Sequence, residues 1–194
     1  MSERDFSPEP FSTEPRLPAG RLVLRPLRPA DAEALFAIFS DAETMRYWSS
    51  SPWTSLTQAD ALITSAQLGN ADGSALRFGL EIAASGQLIG TCTLYSFSSS
   101  NRRCEVGYIL GRAYWGHGYM TEALPALLAH AFGALGLNRV EADIDPRNEA
   151  SARLLERLHF KKEGFMRERW IVNGEICDTD YYGLLRADWL AAAE

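Results

Sequence analysis

The chain is short of cysteine, of long apolar runs and of positive charge, and each shortage excludes something. Its three cysteines, Cys92, Cys104 and Cys177, lie far apart with no CxxC or Cys/His ligand spacing. Neither a disulfide scaffold nor a metal site is therefore expected, and reduced thiols in a cytoplasmic protein are the simple reading. The stretch Met1-Ser2-Glu3-Arg4-Asp5 has neither a basic start nor an apolar run, so neither a signal peptide nor a membrane anchor is expected. Formal net charge is -6. Nucleic acid and anionic lipid both need clustered Lys and Arg, so neither is expected as a partner, and a cationic substrate suits the balance better. The local exception, Asn101-Arg102-Arg103, reads as a solvated strand edge. A monomer and a homodimer both fit this composition.

What is present suits one globular domain: 194 residues, 46% of them hydrophobic, are enough for a sizeable core and short for two. Residues 1–20 hold Pro8, Pro10, Pro15 and Pro18 among Ser, Glu and Thr and read as a flexible leader, with the domain running from 21 to 194. Strand-like alternation covers Arg21 to Leu27, and Pro29-Ala30-Asp31 opens a helix. A second helix is expected over roughly Thr57 to Leu68. Three strands follow, Leu76–Ala83, Gln87–Phe97 and Arg103–Leu110, spaced for an antiparallel meander. Period 3.6 then runs from Gly118 to Gly136, with Pro125 predicting a kink or a loosened first turn. A strand over Arg139–Ile144, a helix over Asn148–His159 and a hairpin turning at Asn173-Gly174 complete the pattern. The expected fold class is α/β, one mixed sheet of about seven strands with helices on both faces.

One stretch carries chemistry. The strand Glu105-Val106-Gly107-Tyr108-Ile109-Leu110 leads through Tyr114-Trp115 into Gly116-His117-Gly118 at a helix start. Glycines let a backbone approach phosphate oxygens, and the free N–H groups of a helix start stabilise their charge. A tight turn explains the same residues. A dinucleotide site would want a third glycine at Thr121, and a Walker loop would want Gly-Lys-Ser/Thr; both are missing.

Longer runs decide between them. Glu105-Val106-Gly107-Tyr108, Tyr114 through Leu124, Asn138-Arg139-Val140-Glu141-Ala142 and Asp145 through Ser151 closely resemble the GNAT acetyltransferases. Within these they look most like the branch holding the ribosomal-protein N-terminal acetyltransferases RimJ and RimL. The resemblance covers about Arg21 to Leu190. It implies a mostly antiparallel twisted sheet with a splay between its two central strands, and acetyl-CoA as cosubstrate. Backbone amides of Trp115, Gly116, His117, Gly118, Tyr119 and Met120 would hold the pyrophosphate, and pantetheine would lie beside Ile109 and Leu110 as an added strand. Ala113 stands where the family often has Gln or Arg.

The resemblance also implies roles for side chains, each beside a plainer reading. Asn148 bonds pantetheine or caps its helix. Glu105 is the candidate base acting through water, or a solvated strand-end charge. The family's thiolate-protonating tyrosine falls on Leu155, leaving Ser151 as a substitute acid or as a residue of the cap. Asp178 shapes the acceptor pocket or is solvated. Trp48 and Trp53, in a Ser/Pro loop, wall that pocket or plug the core. The expected activity is acetyl transfer to a primary amine, a protein N-terminal α-amine by the RimJ/RimL resemblance. Alternatives are a small amine (polyamine, amino acid or aminoglycoside) and, from the missing tyrosine, a CoA-binding module with little catalysis.

Overall fold

The structure is a computed structural model that describes residues 15–192. Most of the expected leader, residues 1–14, and the last two residues lie outside that range. Its frame is one sheet of eight strands in the order β1-β2-β3-β4-β5-β6-β8-β7. The strands are β1 (Leu17–Ala19), β2 (Leu22–Arg25), β3 (Leu76–Ile82), β4 (Leu88–Ser98), β5 (Arg103–Leu110), β6 (Arg139–Ile144), β7 (Lys161–Val172) and β8 (Glu175–Leu185). The helices are α1 (Ala32–Phe39), α2 (Thr57–Asp72), α3 (Tyr119–Ala129), α4 (Glu149–Arg157) and α5 (Arg186–Ala191).

The expected meander is present, since β3, β4 and β5 pair in sequence and antiparallel. The hairpin turn is also as read: Asn173 and Gly174 both have positive φ, 53° and 82°, as a tight two-residue turn between twisted strands requires. Side chains alternate across β5, and the two faces receive different helices. Val106 packs with Leu124, Leu127 and Leu128 of α3 and Leu155 of α4. Ile109 packs with Leu35, Ile38 and Phe39 of α1 and Ile63 of α2.

Several expectations need correction. Leu17–Ala19, read as part of the leader, forms a strand against Leu22–Leu24; Ala19 is buried in the core, which offsets the cost of ordering a proline-rich approach. That strand brings the count to eight rather than seven. The second helix continues four residues past Leu68 to Asp72, ending at Gly73 in the left-handed conformation, and α5 was not foreseen. α3 carries Pro125 inside it and continues to Ala129, which leaves the expected kink or loosened first turn uncontradicted. An irregularity follows over His130–Ala134, where the Leu135 N–H reaches back five residues to the His130 carbonyl at 3.0 Å. Gly136, at φ 62°, closes the segment.

A buried ion cluster fixes the β2 end of the sheet. The Arg25 guanidinium donates to both Asp31 oxygens at 2.7 and 2.8 Å, to Glu81 at 2.5 Å and to the Pro26 carbonyl at 3.0 Å. All three charged side chains are buried. Their pairing ties β2 and β3 to the turn that starts α1.

Candidate active site

The central strands separate where the resemblance places the cofactor. β5 and β6 pair in parallel only from Arg103↔Arg139 to Glu105↔Glu141. β5 continues to Leu110 and β6 to Ile144, so beyond Glu105 strand β5 keeps only β4 as a strand neighbour. This opening is the splay, and the β5 edge bordering it faces no other strand there, so an extended amide chain can lie along it.

The glycine loop lies at the far end of β5. Gly116 and Gly118 have φ of 75° and 80°, conformations that side chains with a Cβ rarely adopt. A Cβ built on Gly116 would meet nothing within 4 Å, and one on Gly118 only the Arg21 guanidinium at 3.8 Å. Space above these glycines is therefore open, and the amides opening α3 receive no side-chain cap. Uncapped N–H groups beneath open space, at the positive end of a helix, fit a diphosphate.

Arg21 braces this loop from the β1–β2 turn. Its Nη2 donates to the His117 carbonyl at 2.6 Å, its Nε donates to Glu122 at 2.8 Å, and its guanidinium lies 4.4 Å over the Tyr119 ring. The sequence reading missed Arg21, since its partners lie about a hundred residues away. The His117 ring nitrogen Nδ1 is 2.8 Å from the Trp115 carbonyl, so His117 serves the loop's shape. Trp115 itself donates from Nε1 to the Leu110 carbonyl at 2.6 Å, so that carbonyl becomes available to an added strand only when the indole turns away.

Two polar groups line the splay from opposite faces. On one face, Asn148 caps α4 by accepting from the Ser151 N–H at 3.1 Å, the helix-cap reading. Ser151 Oγ shares a 2.6 Å hydrogen bond with the Tyr108 hydroxyl. Burial pushes the Tyr108 phenol up, against the opposing effect of Ser151, and keeps it neutral. Leu155 is fully buried in the core, so the helix offers no acid at that position. Tyr108 is the second residue that sequence reasoning passed over, although it stands within the motif that was read.

On the other face stands Glu105. It pairs across the ladder with Tyr95, whose ring lies over Gly107; a Cβ there would come within 3.3 Å of that ring. Burial and then the nearby Asp143 raise the Glu105 pKa, while the Tyr95 hydrogen bond lowers it; the net direction is upward. A half-buried carboxylate with raised proton affinity is a stronger base than one in open water. Glu141 beside it is neutralised by Arg103 at 2.6 Å and Arg139 at 2.7 Å.

Comparison with known proteins decides the family. Residues 21–161 match the acetyltransferase (GNAT) domain family. The chain belongs to the GNAT acetyltransferases. It is 36% identical over 169 residues to the uncharacterized N-acetyltransferase p20 of Bacillus licheniformis, covering 87% of this chain and 95% of that one. It is 30% identical over 183 residues to the [ribosomal protein uS5]-alanine N-acetyltransferase of Escherichia coli, covering 90% and 92%. A crystal structure described as that of a "probable acetyltransferase", 31% identical to it, aligns with a TM-score of 0.82 over 90% of this chain and 98% of its own. N-acetyl transfer is thus the reaction class, and GNAT acetyltransferases use acetyl-CoA as the donor.

Trp53 stacks on Phe39 with centroids 4.4 Å apart, and Trp48 meets the same ring edge-on at 5.9 Å. Both therefore plug the α1–α2 core, while their loop touches the hairpin turn through Ser51 and Asn173. Asp178 accepts from the Glu168 N–H at 2.8 Å, where Glu168 takes a positive φ of 53° within an irregular stretch of β7. Its carboxylate holds a bulge in that strand. No helix among the described residues is long and apolar enough to cross a membrane, and among them no cluster suited to a metal is found.

Proposed function

We propose that this enzyme acetylates a protein or peptide N-terminal α-amine. The observation that carries the reading is the extent of the likeness to the uS5-alanine acetyltransferase. The GNAT family match ends at residue 161, the first residue of β7. The alignment to the E. coli enzyme spans 90% of the chain and so reaches into the hairpin that borders the acceptor side. An α-amine also suits the base: with a pKa of about 7.7–8.0 against about 10.4 for lysine, it is more easily deprotonated.

Bound acetyl-CoA would supply the activated acetyl thioester. The backbone amides of Trp115 through Met120 would hold its pyrophosphate, Ile109 and Leu110 would border its pantetheine arm, and Asn148 would set the α4 end of the splay. Glu105 takes the proton that the amine nitrogen loses as it attacks. A backbone N–H near Ile109 or Leu110 stabilises the carbonyl oxygen. Ser151, supported by Tyr108, offers a hydroxyl to the leaving sulfur. Trp48 and Trp53 shape the acceptor entrance by fixing their loop, and Asp178 does so by fixing the β7 bulge.

Two substitutions test these parts. Gly118→Asp adds a negative charge and a Cβ at the anion cradle, and is expected to weaken CoA binding about thirtyfold in calorimetry. Gly174→Asp carries the same backbone strain in the hairpin turn, where φ is 82°, and should leave CoA affinity unchanged. Equal affinity in Gly118→Asp would remove the cradle from the site. Tyr108→Phe should lower kcat about tenfold with CoA affinity intact. That loss should shrink with acetyl donors whose thiol is more acidic; a loss indifferent to the leaving group would assign the Tyr108–Ser151 pair to structure.

A second reading, a small cationic amine, is favoured by the carboxylates Glu105 and Asp143 on one face. Comparing kcat/KM for short peptides with free and blocked α-amines and for polyamines separates the two. The first reading requires the free α-amine peptide to lead by at least about tenfold, and a lead by the polyamine would replace it with the second.

A further inference from the structure

The charge around Glu105 is uneven. The groups that face it are Tyr95 from β4, Arg103 from its own strand, Glu141 and Asp143 from β6 and Tyr181 from β8, with Arg169 of β7 beside Asp143 and Tyr181. Glu141 is matched by two close guanidinium groups, Arg103 and Arg139. Asp143 is not: its nearest cation, Arg169, stands off at 3.9 Å. That guanidinium also lies over the Trp170 and Tyr181 rings, at 5.3 and 5.9 Å. Asp143 Oδ2 instead accepts from the uncharged Trp170 Nε1 at 3.2 Å. The indole fixes the carboxylate without cancelling its charge.

Asp143 is also placed to be felt. β6 pairs with β5 at Glu141↔Glu105, and Asp143, two residues on, projects from the same face along the opening splay. Its side chain is largely withdrawn from water, at 16% exposure, where charges interact more strongly than at the surface. Next to burial, it is the largest influence raising the proton affinity of Glu105.

We propose that Asp143 is a positioning residue for acetyl transfer: its carboxylate, held by Trp170 on the face it shares with Glu105, acts through Glu105 on the proton transfer from the acceptor amine. The inference rests on Glu105 as the base. In the step concerned, the amine nitrogen bonds the acetyl carbon as the sulfur leaves with the electron pair of the old bond, and the proton released by nitrogen ends on Glu105. A carboxylate with a nearby negative charge that is only loosely paired, as Asp143 is with Arg169 at 3.9 Å, is the stronger base for that transfer.

The test is Asp143→Asn, whose amide oxygen still accepts from Trp170 while the charge is removed. Two quantities are read: the titration midpoint of the Glu105 carboxyl by carbon NMR, assigned against Glu105→Gln, and the pH profile of kcat/KM. The midpoint should fall, the acid limb of the profile should move to lower pH with it, and the plateau should drop about threefold as the base weakens. Arg169→Met, which strips away the one cation beside Asp143, should move both quantities the other way, and this holds a check in reserve should Asp143→Asn fold poorly. Midpoints unchanged in the folded variants overturn the proposal and leave Glu105 as base untouched. A midpoint that moves without the acid limb overturns the assignment of Glu105, and the proposal with it.

Discussion

Glu105→Gln should lower kcat by about a hundredfold while leaving CoA affinity within about twofold of wild type. The carboxylate faces the splay from β5, opposite the Tyr108–Ser151 pair, and the amide that replaces it keeps size and hydrogen bonding but accepts no proton. Because burial and Asp143 raise its pKa, the wild-type acid limb should lie above the ordinary carboxylate range. Glu105 works only when ionised, so activity should fall as pH drops through that raised value. In Glu105→Gln the limb should vanish along with most of the rate. Steady-state rates across pH check both points, and a variant that keeps the limb would place the base elsewhere.

Arg25→Met should destabilise the fold by about 3–5 kcal/mol, the range seen when one member of a buried ion pair is removed. The guanidinium satisfies Asp31 and Glu81 together, and methionine would leave Asp31 without that partner and Glu81 with only the more exposed Arg16 at 3.2 Å. Burial pushes Glu81 up, but the Arg25 hydrogen bond and charge, helped by Arg16, overcome it and hold its pKa below the usual value. A lowered carboxylate pKa means that its stabilisation is present above the unfolded value and is lost as pH falls through the folded one. Wild type should therefore lose this part of its stability in acid, and Arg25→Met should lack that part of the acid sensitivity. Denaturant unfolding at neutral and acid pH measures both; a loss under about 1 kcal/mol would mean that the cluster is hydrated in solution.

The parts legible in the sequence were those set by near neighbours. The Asn173-Gly174 turn, the Asn148 cap and the glycine loop each follow from the conformations a few residues prefer. The meander follows because its strands are separated by turns too short for any other pairing. What escaped depends on distant partners. Leu17–Ala19 looks like leader until β2 is beside it, and Arg21 means little until Glu122 and His117 arrive from α3 and its loop. Trp48 and Trp53 were open between pocket wall and plug, and it is Phe39 that draws them inward. Tyr108 sat within the motif, yet its role needed Ser151, 43 residues away.

The most direct measurement of the central claim mixes the enzyme with acetyl-CoA and a short peptide bearing a free α-amine and an internal lysine, follows thiol release, and locates the acetyl group by mass spectrometry. The account predicts thiol release that matches peptide acetylation one for one, with the acetyl group on the α-amine and both signals suppressed in Glu105→Gln. Acetyl-CoA that binds but yields no thiol with this peptide or with any amine of the panel would contradict it.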